Sequence, residues 1–304
     1  MSPILISKWK KFCKQLFKLS LYILGFMLAK SFSESKTNGF TFTRIDRDIT
    51  YDPVLETPSD FKEKEAVFSQ PFYFLDRGGQ SYVFISQDQT LILKFFKKHY
   101  NIPDPLIQFI DSLLPQSLKT YRFQFLKTRK EKFYPLFESC KLAHTYLKEE
   151  TGLLYVHLNP TTDLPPLQVI DCLGIKHFVN ANTTSFLIQK RADLIFSHIE
   201  EKLAAHDLNG AKHLIHNMIE YIKRRSQQGI GDKDNGLKRN YGYIGDKAVS
   251  LDLGSFVFDD SLKDPAACEA EVERKTRHLA QWISGSHPEL EPYFKEELSK
   301  VLDP

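Results

Sequence analysis

The sequence predicts an α+β domain in two lobes, an antiparallel sheet followed by a short, mainly helical lobe, carried behind a basic and apolar N-terminal helix that associates with membrane. Three observations predict it. Residues 72–97 read as three strands joined by a glycine turn and a polar turn. Residues 208–229 carry one long apolar stripe at helical spacing. A polar loop and a hairpin turn follow that stripe, and the chain closes on two further helical segments. With 42% hydrophobic and 26% charged residues over 304 positions, there is enough apolar material to bury a full core. A net charge of +3, from 41 basic and 38 acidic residues, is too balanced for a nucleic-acid binder, which must neutralise many phosphates. Cys13, Cys140, Cys172 and Cys268 are widely spaced and form no metal-type pair, which fits reduced thiols in an intracellular protein.

The N-terminal segment, residues 1–31, places Lys8, Lys10, Lys11, Lys14 and Lys18 before the apolar run Leu19 to Ala29, with Lys30 behind it. Three readings are open. An uncleaved single-pass helix needs Lys18 and Lys30 to snorkel, because the uncharged run is shorter than the roughly 20 residues a span requires. An interfacial helix would rest on anionic lipid through its lysines. A cleaved signal lacks a good small-x-small site in Met27 to Ser31. Positive charge ahead of a true span would carry the domain across the membrane and away from ATP, which weighs toward interfacial attachment for an ATP-using domain. Residues 32–70 are polar, with little helical periodicity, and read as a linker.

The sheet lobe, residues 71–190, begins with Phe72 to Leu75 as a first strand, Arg77 to Gln80 as a turn and Tyr82 to Ile85 as the return strand. A polar turn at Gln87 to Gln89 leads into the apolar run Leu91 to Phe96, with Lys94 inside it. A lysine in such a run wants an anion. After an insertion at 99–127, Pro135 can open a helix through Glu138, Cys140, Ala143 and Leu147 to Glu150. Strand-like runs follow at Leu153 to Leu158 and Phe186 to Gln189. The helical lobe, residues 191–304, carries Leu208, Ala211, Leu214, Ile215, Met218, Ile219 and Ile222 on one helix closed by Gly229. Beyond it lie Asp232, Asp234 and Asn240, a hairpin turn at Gly245-Asp246, and Asp252-Leu253-Gly254. Glu269 to Ser284 and Pro288 to Leu302 are the closing helices. His157, His177, His206, His213 and His216 lack ligand-type spacing and read as core or surface residues.

Taken in order, these segments resemble the protein-kinase-like superfamily over roughly residues 72–254. Asp76, Gly78, Ser81 and Val83 fall on the family's glycine-rich loop, with Gly79 beside them, and Leu91, Ile92, Leu93 and Lys94 fall on its third-strand lysine motif. Only the middle glycine is kept. Asn240 and Asp252 fall on the two metal-binding positions, either side of a β hairpin. Two departures stand out. No His-Arg pair precedes the acidic residues, and the catalytic aspartate position, five before the asparagine, holds Asn235. A loop longer by one residue gives that role to Asp234, with Asp232 the second candidate.

The resemblance implies ATP held by Gly78, Gly79, Ser81, Val83 and Lys94, Mg²⁺ on Asn240 and Asp252, and a glutamate paired with Lys94. Glu138 is the expected partner and Glu131 its competitor. Lys190 to Asp193 would be the hinge offering backbone groups to adenine. Only about fifty residues follow Asp252, with no Ala-Pro-Glu segment. That shortness makes the chain more similar to the small lipopolysaccharide and small-molecule kinases than to peptide kinases. The implied function is an ATP- and Mg²⁺-dependent phosphotransferase, membrane-attached and intracellular, with an acceptor the sequence does not name. The alternative is a membrane-tethered pseudokinase that binds nucleotide or acts as a scaffold.

Overall fold

The computed structural model describes residues 3–47, 49–58, 61–97 and 134–302. Glu131 and the insertion at 99–127 lie outside them. Helix α1 (Pro3–Lys36) comes first. Its side chains from Phe17 to Phe32 stand in solvent wherever they are described, with Tyr22 and Phe26 more than 70% exposed. No helix among the described residues is long and apolar enough to cross a membrane. The expectation of a single-pass span is therefore corrected: eleven uncharged residues between Lys18 and Lys30 rise only about 16 Å as a helix, roughly half a hydrocarbon core.

Residues 37–70 do more than link. Phe40, Ile45, Leu55 and Val67, the last on the short helix α2 (Lys64–Phe68), are buried. Isolated apolar residues in a polar, aperiodic stretch carry no local signal of burial, so their role emerges only against the sheet they cover.

That sheet has seven strands in the order β4-β7-β3-β2-β1-β5-β6. They are β1 (Phe72–Arg77), β2 (Ser81–Ser86), β3 (Leu91–Phe96), β4 (Leu153–His157), β5 (Leu167–Ile170), β6 (Lys176–Val179) and β7 (Phe186–Lys190). All neighbours are antiparallel except β1 and β5. Strand alternation divides its faces. Tyr82, Phe84, Leu93, Phe95, Phe186 and Ile188 point to the face covered by Phe40, Ile45 and Val67. Register sets Val83 opposite Lys94 and Lys94 opposite Leu187, so these three share the other face. Helix α3 (Tyr134–Tyr146) packs on that face through Leu136, Cys140, Ala143 and the following Leu147. The β5–β6 hairpin was not legible from sequence spacing; His177 within it bonds Asp171 at 2.9 Å and stacks on Phe42.

The helical half is built on β8 (Asp193–Leu194), α4 (Ile195–Ala204) and α5 (Leu208–Gln227). Asp207 caps α5 by accepting from the Gly210 N–H at 2.8 Å, and Gly229 ends it at φ +73, a left-handed residue where glycine carries no Cβ penalty. Then come β9 (Ile230–Asp232), α6 (Leu237–Asn240), β10 (Tyr241–Ile244), β11 (Lys247–Ser250) and β12 (Phe256–Phe258). The predicted turn at Gly245-Asp246 joins β10 to β11. Helices α7 (Pro265–Ser286) and α8 (Glu291–Leu302) pack on α5 around Met218, Ile222, Val272, Leu279 and Ile283. His216 reaches Glu297 of α8 at 2.5 Å, and His157 is buried on the Thr184 carbonyl at 2.8 Å, so both are structural. A third cluster, containing Phe96, Leu136, Leu187, Ile230, Leu253 and Phe256, joins sheet, α3 and helical half.

Candidate active site

Between the β1–β2 turn, the face of the sheet and the loop after β9 lies a cleft of about 420 Å³. Gly78, Gly79, Ser81 and Val83 line it from above, Lys94 and Leu187 from the sheet, Leu136 and Cys140 from α3, and Asp234, Asn240 and Asp252 from below. Of the residues predicted to bind phosphate, cation or acceptor, all except Glu138 and Asp232 are there. Sequence separations of up to about 170 residues close onto one cavity because the sheet and the helical half share the third apolar cluster.

The roof is open where a ligand would need it. Neither Gly78 nor Gly79 has a positive φ, so the turn does not require glycine for its backbone. Instead, a Cβ at Gly79 would meet nothing within 4 Å, and the Gly79 and Gln80 N–H groups have no partner among the described residues. The turn is closed by the Gly78 N–H on the Ser81 carbonyl at 2.9 Å and the Lys97 N–H on the Gln80 carbonyl at 2.8 Å. Two free N–H groups over a cleft are suited to anionic oxygens.

Lys94 is partly buried and donates its Nζ to the Leu251 carbonyl at 2.6 Å. Burial pushes its pKa below the ordinary lysine value, and the Asp252 carboxylate opposes that shift. No described carboxylate forms an ion pair with it. Glu138 is corrected here: α3 turns Leu136, Ser139 and Cys140 inward, which leaves Glu138 exposed on the far side, away from Lys94. The Cys140 thiol beside Lys94 is raised well above the usual range by burial and by Asp252.

Below, Asp252 accepts from the Gly254 N–H at 3.0 Å and so orders the start of its own loop. Gly254 is closely approached: a Cβ there would come 2.6 Å from Gln80 Oε1 and 2.9 Å from Leu136 Cδ1, so those side chains would have to shift to admit one. The β1–β2 turn thus touches the Asp-Leu-Gly segment through Gln80. Asn240 ends α6, and its carbonyl accepts from the Leu251 N–H at 2.7 Å, one residue before Asp252. Asp234 Oδ1 accepts from the Gly236 N–H at 2.8 Å. A Cβ on Gly236 would lie 3.1 Å from Asp234 Oδ1 and 3.2 Å from Asn240 Nδ2, so these two side chains flank one glycine.

Asp232 has a different place from the one expected of a catalytic candidate. It is 4% exposed, and both oxygens are occupied. Oδ1 accepts from Ser255 Oγ at 2.5 Å and the Asp234 N–H at 3.0 Å; Oδ2 accepts from Tyr241 Oη at 2.6 Å and pairs with Lys275 at 3.0 Å. Burial raises its pKa, but Lys275, Arg225 and these hydrogen bonds outweigh burial and hold it below the ordinary aspartate value. It has no lone pair free for an acceptor proton. Sequence reasoning missed the cations that hold it. One signal was available: Cys268, Val272, Lys275, Leu279 and Ile283 recur at spacings of three and four, which puts a lysine in an apolar helical stripe.

Two further findings bear on nucleotide use. Asp234, Asn240 and Asp252 offer carboxylate and amide oxygens, the donor chemistry a hard cation such as Mg²⁺ accepts. Among the described residues no group of three or more His, Cys, Asp or Glu side chains is placed to hold a metal, so a cation here would draw on the asparagine and on phosphate oxygens. The segment expected to serve as hinge does not line the cleft: the Lys190 and Arg191 N–H groups already bond the Gly152 and Thr90 carbonyls, each at 2.8 Å.

No protein-family model and no curated protein sequence matches this chain. Among solved structures it is similar to the bifunctional kinase-methyltransferase WbdD, with 13% identity over 73% of this chain and 42% of that one and a TM-score of 0.33. A co-crystal of WbdD with the kinase inhibitor LY294002 gives 12% identity over 75% and 45%, with a TM-score of 0.34. The chain therefore spans less than half the length of these relatives in shape, and at such scores the likeness establishes neither family nor activity.

Proposed function

We propose that this protein is a phosphotransferase of kinase-like architecture that uses ATP with Mg²⁺. The observation that carries the reading is the convergence of the Gly78-Gly79 turn, Lys94, Asp234, Asn240 and Asp252 on one cleft, in the order and with the chemistry phosphoryl transfer needs. The free Gly79 and Gln80 N–H groups and Lys94 bind phosphate oxygens, and Asn240 with Asp252 holds the cation. Mg²⁺, when bound, neutralises charge on the phosphates. Asp234, exposed at the cleft, takes the proton from an acceptor hydroxyl as its oxygen bonds to the γ-phosphorus and the bond from that phosphorus to ADP breaks.

Asp252→Asn keeps shape and removes charge, so it is expected to keep the fold and abolish Mg²⁺-dependent thermal stabilisation by ATP. Asp246→Asn, in the β10–β11 turn outside the cleft, is expected to retain it. Full Mg²⁺·ATP stabilisation in Asp252→Asn, or none in the unaltered protein, would rule the reading out.

A second reading is a nucleotide-binding or scaffold pseudokinase. Two observations favour it: Lys94 rests on a backbone carbonyl with no described carboxylate paired to it, and the Lys190 and Arg191 N–H groups are already used within the fold. Mg²⁺·ATP binding without turnover against any acceptor is the result that selects it. For location, we propose interfacial attachment, supported by the exposed apolar residues of α1 between Lys14, Lys18, Lys30 and Lys36, a pattern that suits anionic lipid.

A further inference from the structure

The loop carrying Asp234 lacks the His-Arg pair that its resemblance calls for, yet its backbone is held on both sides of Asp234. The Asp234 N–H donates to Asp232 Oδ1 at 3.0 Å, and the Asp234 carbonyl accepts from Lys275 Nζ. Asp232 and Lys275 are themselves an ion pair at 3.0 Å, with side chains 3% and 1% exposed. One buried pair therefore grips both peptide groups of Asp234. Arg274 adds a second grip, donating to the Asp232 carbonyl at 2.8 Å and to Asn235 Oδ1.

The other end of this network is anchored in the core. Glu271 Oε1 accepts from Arg225 of α5 at 3.1 Å, and its second oxygen accepts from Arg274. Arg225 also donates to Tyr241 Oη at 2.8 Å, and Tyr241 donates to Asp232. Such a network is a poor way to gain stability, because apolar replacements of buried pairs are often neutral or stabilising. It is a good way to fix a loop to within a fraction of an ångström, since each charge has a single satisfactory arrangement.

The geometry points to the Asp232–Lys275 pair as a positioning device for Asp234, with Asp232 at the end of β9 and Lys275 supplied by α7 in place of the absent His-Arg pair. This inference rests on the reading of Asp234 as the proton acceptor. Neither residue touches substrate; both act through the Asp234 backbone. Displacing a catalytic group by about 1 Å lowers turnover by on the order of a hundredfold.

The test uses the full chain and Mg²⁺·ATP as probe, with ATP hydrolysis as the turnover. The double variant Asp232→Asn/Lys275→Met removes both charges together and so avoids an uncompensated buried ion. It is expected to bind Mg²⁺·ATP within about threefold of the unaltered protein while hydrolysing it roughly a hundredfold more slowly. Adding Asp234→Asn should bring little further loss, because both changes act on one step. Lys275→Arg, which keeps the charge, should recover part of the turnover. Amide hydrogen exchange at residues 233–236 should quicken in the double variant with nucleotide absent. A folded double variant with unaltered turnover overturns the inference. A protein that binds no Mg²⁺·ATP, or binds without turnover, defeats the catalytic reading separately; the amide exchange then decides the positioning claim, and unchanged exchange at 233–236 overturns it.

Discussion

Ser139 on α3 is the most informative single residue to remove, because it ties that helix to the segment carrying Asp252. Its hydroxyl donates to the Leu253 carbonyl at 2.5 Å and accepts from the Phe256 N–H at 2.7 Å, with Ser139 1%, Leu253 2% and Phe256 3% exposed. Ser139→Ala leaves both backbone groups buried without that partner; only the weak Cys140 thiol, 3.9 Å from the Leu253 carbonyl, remains nearby. Each unsatisfied buried group costs about 1–3 kcal/mol, so the loss of both should destabilise by roughly 2–6 kcal/mol. At about 2–4 °C per kcal/mol for a domain of this size, Tm should fall by roughly 4–24 °C. Urea unfolding followed by tryptophan fluorescence measures the first, and calorimetry the second. Because Leu253 and Gly254 follow Asp252 directly, ATP stabilisation should weaken along with the fold. A loss below about 0.5 kcal/mol, the range of an ordinary surface change, would refute the two-sided role of the hydroxyl.

Lys94→Met keeps length and removes a charge that burial disfavours; thermal unfolding should show equal or higher stability with no response to ATP, and a retained ATP shift counts against phosphate binding by Lys94. Asp232 has a folded pKa below its unfolded value, so its contribution is present above about pH 4 and is lost as pH falls through the depressed folded value. Urea melts between pH 7 and pH 2 should therefore show a steeper loss in the unaltered protein than in Asp232→Asn, and parallel curves would contradict the assignment. Deleting residues 1–36 should leave the thermal transition unchanged, because the described side chains of α1 from Phe17 to Phe32 are exposed, and should abolish sedimentation with phosphatidylserine vesicles. Equal sedimentation of the shortened protein removes the lipid role of α1.

Much of the architecture was written in local spacing. The hairpin around Gly78 and Gly79, the strand holding Lys94, the stripe of α5 and the turn at Gly245-Asp246 depend on periodicity and turn chemistry, which a sequence displays directly. Their order along the chain, through its resemblance to the protein-kinase-like superfamily, then grouped Lys94, Asp234, Asn240 and Asp252 as one set of candidates.

What tertiary structure alone decided is the rotation and depth of individual side chains. Neighbouring helical residues point about 100° apart, so Glu138 faces solvent while Ser139, one position on, holds the Asp252 segment. At the end of β9 and in the loop after it, where no period applies, spacing from Asn240 ranked Asp234 ahead of Asp232 but did not show that Asp232 is buried. The difference between them is Arg225, which reaches Asp232 from the end of α5 just before β9, and Lys275, which reaches it from α7, far off in sequence. Phe40, Ile45, Leu55 and Val67 show the same limit: burial is a property of the surface a residue meets, and a polar, aperiodic stretch gives no hint of which sheet will cover it.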